Sequence, residues 1–314
     1  MSKEVEEQLE KIPIISTLVR FGKKIVLPGF EGLSLYDLIE IYTIGIIRGT
    51  FTARAGSISW SFFLSLFPFL LFLLNLIPYV PIESFHSEFY QFINGILPRQ
   101  SAAFFQNIYN DIYLNPRGGL LSTVFILSIF LMANGINAVF SGFEYSYHVT
   151  LNRSVIRQYF MALGVSIIVA LLLLITVIIT LYFSYLIENL NSRGMVRDNI
   201  FWLQLGKYSI VVLMIFLIVA ILFYFGTREG KTHRFFSIGA VMTTLLIIVT
   251  TYLFGIYIDN FSNYNKLYGS IGAMLILMLY IWLNAILLLL GFELNASLTK
   301  LRGAYKLNSE ISNL

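Results

Sequence analysis

Six stretches of this chain are each long and apolar enough to cross a lipid bilayer: roughly 55–80, 119–147, 157–187, 200–226, 235–258 and 270–297. A hydrocarbon core about 30 Å thick takes about 20 consecutive apolar residues in a helix. In lipid, backbone N–H and C=O groups must find partners within the protein, which leaves helices as the solution for windows of this length. Several windows exceed the minimum, which permits tilt but fixes no angle. Composition agrees: charged residues make up 12% of the 314 residues and the apolar set 57%, with a mean hydropathy of +0.78. A soluble domain carries about 25% and 45–50%. The expected fold is therefore all-α, a polytopic helical membrane protein with six transmembrane helices plus interfacial and extracytoplasmic amphipathic helices.

Lys and Arg set the orientation. With the N-terminus inside, fifteen of the 21 fall on the cytoplasmic side, among them Arg153, Arg157, Arg228, Lys231 and Arg234 in two short loops, and six on the other. Cytoplasmic loops are the ones that accumulate positive charge, so both ends of the chain are placed in the cytoplasm of a bacterial inner (plasma) membrane. Residues 1–54 read as a cytoplasmic tail and interfacial helix, 55–297 as the six-helix domain and 298–314 as a cytoplasmic tail. Within 33–51, Asp37, Glu40 and Arg48 occupy part of the circumference, which suits a helix lying in the interface; a seventh span is the alternative. Segment 81–118 has Phe85, Phe89, Ile93 and Ile96 at helical spacing before Pro98. It reads as a helical hairpin outside the membrane, either resting on the leaflet or capping a cavity. No cleavable signal peptide is expected.

The charge balance of +4 follows from those loops and does not imply nucleic acid as a partner. The chain holds no Cys and three scattered His, so neither a thiolate nor a histidine metal site is expected. Glycine-rich phosphate loops and His-Glu-x-x-His motifs are absent. No cofactor and no enzymatic activity are expected.

Polar residues are costly in lipid, which makes their positions informative. Arg54, Ser57, Ser61 and Ser65 follow one another at helical steps in the first window. Asn134, Asn137, Ser141 and Glu144 do so in the second, and Thr176, Thr180 and Ser184 in the third. The fifth carries Ser237, Thr244 and Thr251, and the last Asn284, Gly291 and Asn295, with Glu293 nearby. Small and hydroxyl residues let helices approach and bond across one another, so tight packing explains much of this pattern. The charged members are harder to explain so. The topology places Arg54, Glu144 and Glu293 near one cytoplasmic depth, where they form either a structural clamp or the inner mouth of a polar cavity. The candidate substrate path is Arg54, Ser57, Ser61, Ser65, Asn134, Asn137, Glu144, Asn284, Glu293 and Asn295.

These residues carry a family resemblance. Arg54-Ala-Gly-Ser-Ile-Ser-Trp-Ser-Phe-Phe-Leu-Ser-Leu-Phe-Pro68 resembles the first-span signature of the YihY/virulence factor BrkB family. Asn137 through Val149 followed by Arg153, and Tyr268 through Ala273 leading to Gly291-Phe-Glu-Leu-Asn295, are similar to its second-span ending and its final span. Phe143-Glu144 departs from the pattern, standing where many members carry Leu-Asn, and so does the fourth-window ending Phe225-Gly-Thr-Arg228. The resemblance implies a bacterial inner-membrane protein linked in some members to serum resistance or envelope lipid handling. It leads to an expected transporter or permease for an envelope-related, lipidic or anionic substrate. The alternatives are a non-transporting envelope assembly or scaffold protein and, remotely, a membrane-associated nuclease, the activity an older family name suggests. Membrane lipids are the expected partners, with homo-oligomerisation left open.

Overall fold

The computed structural model describes residues 21–26, 34–36, 39–40, 50–76, 118–146, 153–192, 199–227, 235–260 and 270–312. Six helices fill the six apolar windows: α1 (Phe51–Leu76), α2 (Gly118–Glu144), α3 (Val155–Ser192), α4 (Asn199–Gly226), α5 (Ile238–Asn260) and α6 (Ser270–Ser312). Extended structure among the described residues is one isolated antiparallel bridge between Val26 and Ser34. The chain is an all-α, polytopic membrane protein. By length and composition α2 to α6 can each cross a bilayer, and α1, at 26 residues, spans about 39 Å. The 81–117 segment and most of the 33–51 segment lie outside the described residues.

Local chemistry sets several helix ends. The Thr50 carbonyl accepts the Arg54 N–H at 2.7 Å, so α1 begins at Phe51 and takes Arg54 inside its first turn. Ser237 caps α5, its hydroxyl accepting the Ala240 N–H at 3.2 Å, which satisfies one of the four donors a helix start leaves over. No proline interrupts residues 270–312. Leu, Lys, Arg and Ala dominate 298–306, so α6 continues for 43 residues instead of ending at the 297 boundary drawn from hydropathy.

The chain divides into two compact units. The first draws on Met1–Trp60, Ala138–Gln158 and Phe216–Leu314, and so holds α5, α6 and the ends of the other four helices. Its core is an aromatic cluster. The Phe143 and Phe292 rings stack at 4.2 Å between centroids, and Phe223 meets them edge-on at 5.6 and 6.0 Å. Each such pair adds about 0.5–1.5 kcal/mol beyond the area it covers. Residues 291–298 of α6 are buried without a break, so both sides of this helix end face protein. Close packing of α5 on α6 follows from their small residues. Thr243 of α5 seats directly on Gly291, where a side chain would collide with it, and Gly239 packs against the Gly291 backbone and Asn295.

The second unit draws on Ser61–Asn137 and Tyr159–Ile215. Its buried positions mix small and polar residues, Ser65, Ser128, Ala133, Ala162 and Ser166, with larger apolar ones such as Phe63, Ile136 and Val165. Helices in lipid gain little from the hydrophobic effect and associate by close packing instead. Gly135 meets the Ser65 hydroxyl with no space for a side chain. The Ser128 hydroxyl donates to the Pro68 carbonyl at 2.7 Å, tying α2 to the proline turn of α1. Many large residues point outward, among them Leu171, Ile175, Ile179, Tyr182, Trp202 and Leu213. That is the arrangement of a protein whose solvent is lipid.

The α5–α6 contact yields a prediction. Gly291→Val forces a branched side chain into Thr243 and is expected to cost about 1–3 kcal/mol, read as a lower melting temperature of detergent-purified protein. Gly164→Ala, with nothing within 4 Å of the added carbon, should leave it unchanged. Equal melting of the two variants would refute the close-packed contact.

Candidate functional site

Helix α2 ends in a part of the first unit where its last carbonyls need donors. Four carbonyls at a helix C-terminus lack partners within the helix. Here Ser141 O takes the Tyr145 N–H at 3.1 Å and Phe143 O takes the Ser146 N–H at 3.0 Å. That 3₁₀-like closure diverts the amide that would otherwise reach Gly142 O. Arg54 supplies the donors instead: its Nε lies 2.8 Å from Gly142 O, and its Nη2 donates to the same oxygen. The arginine is 8% exposed, and its guanidinium also lies over the Phe51 ring, 5.0 Å from the centroid. Glu293 is near enough for its charge to act on the guanidinium.

Glu293 lies 3% exposed in the buried end of α6, and its Oε2 accepts the Ser146 hydroxyl at 2.7 Å. The turn 142–146 is thus held at Gly142 by α1 and at Ser146 by α6. A third contact leaves it at Glu144, whose Oε1 accepts the backbone N–H of Arg153 at 3.2 Å. Arg153 then repeats what Arg54 does. Its Nη1 donates to Phe225 O at 2.6 Å and its Nη2 to Thr227 O, the carbonyls at the end of α4. Burial lowers the Arg153 guanidinium from its usual value, the Glu144 carboxylate opposes that, and Arg157 adds to the lowering. A buried arginine, Arg54, and a half-buried one, Arg153, therefore satisfy two helix C-termini. Positive charge at the negative end of each helix is also favourable electrostatically.

Of the sequence-derived candidates, Arg54 and Glu293 come together. Glu144 sits two residues from Gly142 but is engaged with Arg153, so the expected cluster of three resolves into two pairs. Ser57 is exposed on the face of α1 that carries Trp60 and Leu64, Ser61 is half-buried, and Ser65 is buried. Ser65 bonds its own helix at Phe62 O, 2.8 Å away. Asn134 is exposed and Asn137 half-buried. Asn284 donates to Tyr280 O at 2.8 Å, one turn back in its own helix. Asn295 accepts the Gly239 N–H at 2.9 Å and donates to the Ser237 hydroxyl at 2.8 Å, so it caps α5 from α6. Thr176, Thr180 and Ser184 each donate to the carbonyl four residues earlier in their own helix.

Three buried polar atoms have no hydrogen-bond partner among the described residues: Thr243 Oγ1, Asn284 Oδ1 and Ser297 Oγ. Thr243 faces the Gly291 backbone, where the close approach leaves no room for anything else. Ser297 stands one turn beyond Glu293 on the same face of α6, and is 4% exposed. The hydropathy pattern identified Arg153 only as a loop charge, and did not single out Ser146 or Ser297. Arg153 had a signal in hindsight: a loop arginine between two helix ends that lack donors. Ser146 had none, because its role depends on how α6 packs.

The residues that build this site lie within the stretch that the chain shares with known proteins. The model of the family described as virulence factor BrkB matches residues 46–310. A ribonuclease-like protein, YfkH, of Bacillus subtilis (strain 168) is 29% identical over 251 residues, covering 79% of this chain and 90% of that protein. UPF0761 membrane proteins of Xanthomonas oryzae pv. oryzae and Xanthomonas axonopodis pv. citri are 36% identical over 64 residues, which is 20% of this chain and 15% of theirs. No solved structure matches.

Arg153 gives a direct test of the helix-end account. Arg153→Ala leaves the Phe225 and Thr227 carbonyls without their donor and should cost about 1–3 kcal/mol, measured as a fall in melting temperature. Arg153→Lys, which keeps the charge but loses the fork, should recover part of it. An unchanged melt for Arg153→Ala would remove Arg153 from the scaffold.

Proposed function

The chain belongs to the virulence factor BrkB family of membrane proteins, and we propose that it is a permease for an envelope-related substrate, with Arg54 and Glu293 in the substrate path. The observation that carries this reading is the state of Glu293. It is an ionisable side chain in the longest unbroken buried stretch among the described residues, beside a buried arginine and one turn from a buried hydroxyl that lacks a partner among them. Charged groups are expensive inside membrane domains and tend to mark pathways when they occur there. A hydroxyl that stays unbonded when buried is likewise costly, by about 1–3 kcal/mol, unless water or a substrate reaches it. In this reading the path begins at the inner face of the inner membrane, and both chain ends are cytoplasmic.

A second reading has its own support. Arg54 spends two nitrogens on Gly142 O, as a structural clamp would, and a scaffold protein of the envelope needs nothing more from it. The two readings part at Glu293→Gln. An amide oxygen still accepts the Ser146 hydroxyl, so the variant should reach normal abundance and melt within a few degrees of the parent. As a permease it should lose the envelope phenotype that the parent restores to a deletion strain. Full complementation by Glu293→Gln would favour the scaffold.

Orientation is testable independently, because the chain holds no cysteine. Ser154 and Asn191 are both exposed. A membrane-impermeant maleimide applied to intact spheroplasts should label Asn191→Cys, and should label Ser154→Cys only after permeabilisation. The reverse pattern overturns the orientation.

A further inference from the structure

The most exposed large hydrophobic side chains among the described residues stand together where α2 ends and α3 begins: Val155 at 81%, Tyr145 at 76% and Ile156 at 72%. Tyr145 follows Glu144, and Val155 and Ile156 follow Arg153 and Ser154. The hydrogen bond from the Arg153 N–H to Glu144 Oε1 therefore brings the three to one end of the first unit. Gln158 sets the rotation of α3 there, being buried and donating from Nε2 to Ser141 Oγ at 2.8 Å. With that side turned to α2, Ile156 and Arg157 are left outside. Arg157 is exposed and has no hydrogen-bond or ion-pair partner among the described residues. The first turn of α3 holds no acid, and the charge of Arg157 acts on a second cation, Arg153, helping to lower it from its usual value. Arg153 also holds the Thr227 carbonyl, from which a loop departs with Arg228, Lys231 and Arg234 against Glu229. From Phe225, whose carbonyl Arg153 holds as well, aromatic rings run on through Tyr224, Phe235 and Phe236 with centroids 5.0 to 5.8 Å apart. Aromatic belts of this kind sit at the level of the lipid head groups.

We propose that Arg157, Tyr145, Val155 and Ile156 form a docking surface for an anionic phospholipid of the surrounding bilayer, with the phosphate on Arg157 and the glycerol end of the acyl chains on the three hydrophobic side chains. The inference stands on the membrane-embedded fold and makes no use of the permease reading. Water would suit an exposed arginine and hydrocarbon an exposed isoleucine. The two side by side at head-group depth fit a molecule that has both characters. A guanidinium takes a phosphate with two parallel hydrogen bonds. Net charge then decides among phospholipids. Phosphatidylethanolamine brings an ammonium beside two arginines, whereas phosphatidylglycerol brings none, so the local field favours the second. Arg153 acts through its charge and not by contact, because its Nη1 and Nη2 are already held by carbonyls. In the orientation proposed above, the surface faces the cytoplasmic leaflet.

The test titrates detergent-purified full-length protein with phosphatidylglycerol and with phosphatidylethanolamine of the same acyl chains, and counts retained lipid by native mass spectrometry. Wild-type protein is expected to hold its first phosphatidylglycerol about fivefold more tightly than its first phosphatidylethanolamine, the worth of one basic side chain beside an acidic head group. Added salt should shrink the difference. Arg157→Gln should lose the preference while phosphatidylethanolamine binding and the melting temperature of the lipid-free protein stay as they were. Arg157→Lys keeps the charge and should keep most of the preference. Lys207→Gln removes a charge from the second unit and should change nothing. Ile156→Asn should weaken both lipids by a similar factor. Wild-type protein that binds the two lipids alike, or Arg157→Gln that keeps the preference, would overturn the proposal. An equal loss in Lys207→Gln would reduce the effect to net charge and overturn the site, as would unchanged binding of both lipids by Ile156→Asn. A lower lipid-free melt for both Arg157 variants would make Arg157 part of the scaffold and count against it equally.

Discussion

A helix that ends away from water leaves carbonyl oxygens that something must satisfy, and the first unit is organised around how two such ends are met. At the end of α2 the turn 143–146 tightens and leaves Gly142 O to Arg54. At the end of α4 the carbonyls of Phe225 and Thr227 go to Arg153. Water would do the same work at no cost in charge burial. Within a protein surrounded by lipid, an unsatisfied carbonyl costs several kcal/mol, so a long side chain with several donors is worth burying. Arginine suits the role because its fork reaches two acceptors, or one acceptor twice, without deprotonating.

That solution brings charge inside, and the rest of the site follows from it. Glu293 lies near Arg54 and is tied through Ser146 to the same turn that Arg54 caps. Glu144 is tied through the Arg153 backbone. Two rings of the aromatic cluster, Phe143 and Phe292, are the sequence neighbours of Glu144 and Glu293. Charge and packing are therefore interleaved along the same helix ends. Aromatic faces exclude water there and hold the dielectric low, which strengthens both the attraction between Arg54 and Glu293 and the penalty for leaving either without a partner.

Much of this architecture was legible in the sequence. The six apolar windows gave the helices because a period-independent apolar run of more than 20 residues has few other destinations, and α2 to α5 follow them within a few residues. Arg54 and Glu293 were identifiable because charge is rare inside such windows. What escaped was tertiary: whether Ser57 turned toward protein or toward lipid, and which of two acids met Arg54. Helical spacing places Ser57, Ser61 and Ser65 within a third of a turn of Arg54, yet the surface boundary falls inside that arc. Glu144 looked equivalent to Glu293 by depth, but its own chain supplies a nearer partner in Arg153. The extent of α6 beyond 297 escaped as well, since hydropathy reports where lipid ends and not where a helix does.

The account stands on Arg54 and Glu293 being an occupied polar site and not a sealed clamp. The most direct measurement is an experimental structure of the protein in lipid nanodiscs. A permease path through these residues predicts density beyond the protein next to Arg54 and Glu293. Direct bidentate closure of Arg54 on Glu293, with apolar side chains filling the remaining space and no density between them, would contradict it.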